Sequence, residues 1–143
     1  MDTNTTYDIT SKNMTQTIEE IIKNRKHWEE GTYAASNTEL YAVLASCLAL
    51  YQACIQNHAL SEGLKTALKN KNLKSNSKTS LAVKVIRLIF ATEENQAIIK
   101  NRVFSYAKAL EVAHEQKQTQ QSFAQFVTEK GGLDELRRSS DAP

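Results

Sequence analysis

The residue types best placed to do chemistry in this chain are cations. Ten of them fall between positions 65 and 108: Lys65, Lys69, Lys71, Lys74, Lys78, Lys84, Arg87, Lys100, Arg102 and Lys108. No Asp or Glu interrupts the stretch between Glu62 and Glu93. The formal net charge of +2 conceals this asymmetry. Residues 1–62 hold eight acids and four bases, residues 63–110 two acids and ten bases, and residues 111–143 six acids and four bases. A polyanion responds to the local field of such a patch far more than to the net charge of the whole protein. The plainer explanation is a lysine-rich face that keeps the protein soluble.

Spacing supports a face. Lys65 and Lys69 are one helical turn apart, the polar stretch NKNLKSNSKTS at 70–80 reads as an exposed loop adding Lys71, Lys74 and Lys78, and Lys84 with Arg87 continues the field. On the helix that follows, Lys100, Asn101, Phe104, Ser105 and Lys108 lie on the side away from the Ile99 to Ala113 seam. Lysines on such a face would hold phosphates while Asn101 or Ser105 adds polar contacts. Arginine is scarce, with only Arg87 and Arg102 in this region. Bidentate reading of guanine is therefore poorly provided for, and binding to DNA or RNA is expected to be mainly independent of sequence.

The other reactive residues read as structural. Cys47 and Cys54 are seven apart on one expected helix, about 10.5 Å between Cα atoms, too far for a disulfide, and they sit on its densest apolar seam. Buried small hydrophobes are the favoured reading. His27, His58 and His114 fall in three separate helices, and Cys54 with His58 gives two ligands where a structural zinc site needs four. A Cys54 and His58 nucleophile pair conflicts with the accessible, electropositive setting that reactive thiols require. The pairs Glu19-Glu20, Glu29-Glu30, Glu93-Glu94 and Asp134-Glu135 are sequence neighbours and diverge on a helix. No Gly-rich phosphate loop is present. Accordingly no catalytic, cofactor-binding or metal-ligating set is expected, and the chain reads as a binder and not an enzyme.

The elements that must position the cations are helices. Gly occurs only at 31, 63, 131 and 132 and Pro only at 143, which deprives the chain of the punctuation that strand-and-turn folds use. At 143 residues it forms one domain burying about 70% of its unfolded surface. The organisation expected is a flexible arm at 1–14, in which Tyr7 and Ile9 are available to pack, one helical domain at 15–138 and a frayed tail at 139–143. A capping box at Thr17-Ile18-Glu19-Glu20 opens a helix running from about 15 to Glu30, with Gly31 as a left-handed cap. A second box at Ser36-Asn37-Thr38-Glu39 opens a helix at 37–59 with apolar Leu40, Leu44, Cys47, Tyr51 and Cys54. A short helix follows Ser61 and ends near Lys69.

Residues 81–90, LAVKVIRLIF, favour a strand by propensity but have no strand to pair with, so they are assigned helix with Lys84 and Arg87 at its boundary. Thr92 caps a helix at 93–116, and Phe123, Phe126 and Val127 mark a short one ended by Gly131-Gly132, with one more turn at 133–138. The fold class is therefore all-α, a compact helical bundle of five or six helices around antiparallel packing of 37–59 with 93–116. The helix pair 81–90 and 93–116 matches a helix-turn-helix only weakly.

No basic n-region and apolar h-region open the chain, and no apolar run approaches the 18 to 20 residues a membrane span needs, so a cytoplasmic protein without membrane association is expected. The function expected is a small non-enzymatic binding protein that engages nucleic acid through the lysine-rich face. The alternative is a protein–protein interaction module, an adaptor, inhibitor or immunity-type factor whose basic face meets an acidic protein surface. The Asn, Lys, Thr and Gln usage suggests a bacterial accessory or mobile genetic element context. The apolar seams serve equally to close one chain or to build a homodimer.

Overall fold

The scarcity of Gly and Pro has its expected outcome, because the chain forms helices and no strand among the described residues. The computed structural model describes residues 6–31 and 37–141. In chain order the helices are α1 (Met14–Glu30), α2 (Asn37–Gln56), α3 (His58–Asn70), α4 (Leu81–Phe90), α5 (Lys100–Glu115), α6 (Phe123–Glu129) and α7 (Leu133–Asp141). The count exceeds the expected five or six because the extra turn after Gly132 is a full helix. Ser36 of the second capping box lies outside the described residues.

The centre of the bundle is α4, the segment whose composition favoured a strand. Eight of its ten residues are buried, and it packs against α1, α2, α3 and α5. Burial outweighs propensity here. Each fully buried Val, Leu, Ile or Phe side chain stabilises by about 1.5–3 kcal/mol, whereas the helix penalty of a β-branched residue is under about 0.7 kcal/mol. Lys84 is drawn in with the rest and is 8% exposed, deeper than the boundary position expected for it. The expected contact of α2 with α5 also forms, though the packing of α4 on α5 is more extensive.

Helix α2 is buried over most of its circumference, from Leu40 to Leu48 and at Leu50 and Cys54. Its best 18-residue window has mean hydropathy 1.4, long and apolar enough to cross a membrane, which corrects the expectation that no run approaches that length. In this fold 61% of that window is buried inside the protein, the setting of a core helix.

Helix ends depart most from the sequence reading. Thr17 is not a cap: α1 begins at Met14, and Thr17 is buried within it. The reciprocal bonding falls one turn earlier, where the Thr10 N–H donates to Asn13 Oδ1 at 2.8 Å and the Asn13 N–H donates to Thr10 Oγ1 at 3.4 Å. Gly31 is extended, with φ −79° and ψ 163°, and not left-handed. The left-handed caps lie elsewhere, at Asn72 (φ 57°), Lys117 (φ 60°) and Gly131 (φ 93°). Each closes a Schellman motif, through Leu73 N–H to Leu68 O, Gln118 N–H to Ala113 O and Gly132 N–H to Val127 O. Thr92 does bond reciprocally with Asn95, at 2.7 and 3.2 Å, yet residues 93–99 form turns and the continuous helix starts only at Lys100. Helix α2 stops at Gln56, and Asn57 caps α3 by accepting from the Ala59 N–H, so α3 starts three residues before Ser61.

Arg25 locks the end of the central helix. Its guanidinium is carried on α1, is 6% exposed, and donates from Nε to the Ile89 carbonyl at 2.8 Å while pairing with Glu29. A cation at a helix C-terminus satisfies an orphan carbonyl and meets the negative end of the dipole. An aromatic chain crosses the same region, with Trp28 edge-on to Phe90 at 6.3 Å and Phe90 to Tyr106 at 5.1 Å between ring centroids.

The arm ahead of α1 is tied down at Tyr7, whose N–H donates to Gln120 Oε1 at 3.0 Å, while Gln52 of α2 donates to the Gln118 carbonyl at 2.9 Å. Two outcomes follow for urea unfolding. Arg25→Ala leaves the Ile89 carbonyl buried without its donor and should destabilise by about 2–4 kcal/mol. Lys117→Gly should instead stabilise by up to about 1 kcal/mol, since Lys117 is exposed and its left-handed backbone suits glycine.

Candidate anion-binding face

The cationic region is organised around the segment joining α3 to α4. Its first step is the Schellman end of α3: Asn72 takes the left-handed turn, and Leu73 folds back to be buried at 5% exposure. The chain is then held to the turns at 93–96. Asn72 Nδ2 donates to Glu93 Oε1 at 3.3 Å, and Gln96 Nε2 donates to the Asn72 carbonyl at 3.2 Å. Lys74 is fixed on both sides of its peptide, its N–H donating to Gln96 Oε1 at 2.9 Å and its carbonyl accepting from Arg87 Nη1 at 2.6 Å.

A second knot follows. The Lys78 N–H donates to Asn76 Oδ1 at 2.8 Å, the Asn76 N–H to Thr79 Oγ1 at 3.1 Å, and Ser80 caps α4 by accepting from the Val83 N–H at 3.2 Å. Such side-chain-to-backbone bonds are how Asn, Ser and Thr fix a turn. The segment is exposed from Lys74 to Lys78, as expected, but its backbone is pinned at several points.

Two hollows open on either side of this segment and share Asn76. The first, 450 Å³, is lined by Lys65 and Lys69 of α3, Lys84 of α4, and Leu73, Lys74, Ser75, Asn76 and Ser77 between them. Four lysines and no carboxylate line it. Lys84 is 8% exposed and lines that hollow from α4; a long cationic side chain can bury its stem along apolar surface while its charged head stays wet. The second, 590 Å³, is lined by Asn76, Lys78, Thr79 and Ser80, by Val83 and Arg87 of α4, and by Phe104, Ala107, Lys108 and Glu111 of α5. Partial burial holds the Arg87 guanidinium below its ordinary pKa, and its bond to the Lys74 carbonyl fixes its place.

Seven of the ten expected cations thus line these two hollows. Lys71 does not: it pairs with Glu19 of α1 at 3.1 Å and lines a separate 420 Å³ cleft between α1 and α3. Lys100, Asn101 and Arg102 are exposed on the first turn of α5, Ser105 is partly buried on the next, and none of the four lines either hollow. Lys65 also bonds Glu62 at 2.8 Å on the rim. That bond, then the Lys65 charge, holds the Glu62 carboxyl below its ordinary range, but with both side chains half exposed the pair contributes little. The sequence reading missed Ser75, Asn76, Ser77 and Thr79 as members of the face. Their signal is the Asn-x-x-Thr spacing at 76–79, a turn signature inside the polar stretch 70–80.

The cysteines have the inert setting expected of them. Both are free and buried on α2; burial pushes the Cys54 thiol up to about 11 and the Cys47 thiol higher still. His58 stands exposed at the start of α3. Among the described residues no three His, Cys, Asp or Glu side chains gather as a metal site. No protein-family model matches the chain, and no curated protein or solved structure matches it.

A pH dependence follows from the thiols. Both folded pKa values are raised above the ordinary 9.0, so the unfolded chain loses its thiol protons first. Their contribution to stability should be full below about pH 8.5 and lost as pH rises through 9 towards 11. Urea midpoints measured across that window should fall more steeply for the native protein than for the double variant Cys47→Ala, Cys54→Ala, and a thiol reagent at pH 7.5 should label neither cysteine until the protein is denatured.

Proposed function

We propose that this protein is a non-enzymatic binder of nucleic acid that holds phosphates on the face built around residues 74–80, without reading base sequence. The observation that carries this is the hollow where Lys65, Lys69, Lys74 and Lys84 converge with no carboxylate lining it. A phosphate entering it meets several ammonium groups and the polar segment Ser75-Asn76-Ser77, and each phosphate neutralised releases condensed counterions. Lysine acts there as a point charge. Contacts of this type position a strand and give affinity, while sequence discrimination needs base-edge groups such as paired arginines. A backbone already pinned by Gln96, Arg87 and Asn76 adds little ordering cost on binding.

The test is a titration of labelled DNA, single-stranded and duplex, from low to physiological salt. The expected result is an affinity that falls steeply and linearly on a log–log plot. The triple variant Lys65→Gln, Lys69→Gln, Lys74→Gln should bind at least tenfold more weakly at low salt, with a slope shallower by about 2. Lys71→Gln, which removes a cation already paired with Glu19, should change little. Absence of binding at low salt, or an affinity unaltered in the triple variant, would overturn the proposal. Capture of an acidic protein by the wild type but not by the triple variant, with no DNA bound, would put the interaction-module reading in its place.

A further inference from the structure

Phe104 is an aromatic side chain left 46% exposed on α5, and it lines the second hollow beside Lys78 and Arg87. Two other large apolar side chains, Ile55 and Ile98, are also exposed among the described residues, but they line neither hollow. Scattered exposed apolar groups are ordinary on a protein surface. An aromatic ring set among cations and hydrogen-bonding side chains, in a hollow that shares Asn76 with one lined by four lysines, has a more specific use.

We infer that the nucleic acid this face takes is single-stranded, with its backbone over the four-lysine hollow and an unpaired base stacked on Phe104. This rests on the phosphate-binding reading above. The two hollows meet at Asn76, so a strand crossing the 74–80 segment places backbone in one and a base in the other. A duplex keeps its base faces stacked inside and offers only edges in its grooves, so it cannot cover a ring in this way. A single strand offers a π-face at every base. The polar rim of the second hollow, Asn76, Thr79 and Glu111, would meet the edge of whichever base lies there. Stacking accepts all four bases, which agrees with the shortage of arginine for edge reading.

The experiment compares three fluorescent probes of equal length at one low salt concentration: an oligothymidylate, an abasic strand with the same phosphates, and a duplex. Wild type should bind the oligothymidylate at least tenfold more tightly than either of the others. Phe104→Ala should lower affinity for the oligothymidylate by about tenfold, consistent with about 1–3 kcal/mol for one stacked base. It should leave the abasic strand and the salt slope unchanged, because no phosphate contact is lost. Phe104→Trp should retain affinity and add fluorescence quenching on binding beyond the wild-type change from Trp28. Its thermal unfolding, and that of Phe104→Ala, should match wild type, because the ring is exposed. Equal affinity for the abasic strand or duplex, or an unaffected Phe104→Ala variant, would overturn this inference while leaving the phosphate face intact. Loss of all DNA binding at low salt would remove the underlying reading instead.

Discussion

The packing of α1, α2, α3 and α5 is arranged around one constraint, the enclosure of the ten-residue helix α4 among them. A helix leaves unpaired N–H groups at its start and unpaired carbonyls at its end, and water has limited access to α4 to satisfy them. The protein supplies partners at both ends. Ser80 takes the Val83 N–H at the start, and at the other end Arg25 donates to Ile89 while the Ala91 N–H closes on Arg87. The first of these partners belongs to the 71–80 segment and the second to α1. Enclosing α4 therefore fixes the segment that carries the lysines, and the cationic face follows from how the core is capped.

The same enclosure explains why the segment is so polar and so ordered. Arg87 leaves α4 on its outer side and reaches the Lys74 carbonyl, while Gln96 reaches the Lys74 N–H from the far side of the helix end. A residue of α4 and one that follows α4 in the chain thus grip Lys74 between them. A flexible lysine loop would distribute its charge over many conformations. A gripped one holds Lys74 beside Lys65, Lys69 and Lys84 at one hollow and Lys78 at the next, and such preorganisation favours electrostatic recognition.

Much of the fold was legible because apolar periodicity and the lack of breakers are long-range averages. Residues 81–90 illustrate this: the absence of any strand partner identified the helix, and its bounds are Leu81–Phe90. Positions that depend on one backbone angle were less legible. Gly31 has the residue type for a left-handed cap and is extended, whereas Lys117 has the wrong type and takes the left-handed turn, because its Schellman bonds and the Gln52 contact to Gln118 determine the chain's path there. Thr17 and Thr92 both had capping signatures, yet one is buried inside a helix and the other starts a run of turns.

For the face, charge density located the region but could not sort its members. Lys71 differs from Lys74 by three residues and turns to Glu19 instead, a choice made by the α3 end. Lys84 looked peripheral because its charge suggested a surface, while its neighbours Val83 and Val85 determined its depth.

The convergence of Lys65, Lys69, Lys74 and Lys84 also bears on the fold's own stability. Like charges gathered at a common opening repel one another, most in dilute salt where screening is weakest, and the Lys65 bond to Glu62 offsets part of that repulsion. A cluster of like charges beside an otherwise self-consistent core is a point of local frustration. Any anion that settles there relieves the repulsion as it binds, so occupancy and folding reinforce each other through one free-energy linkage.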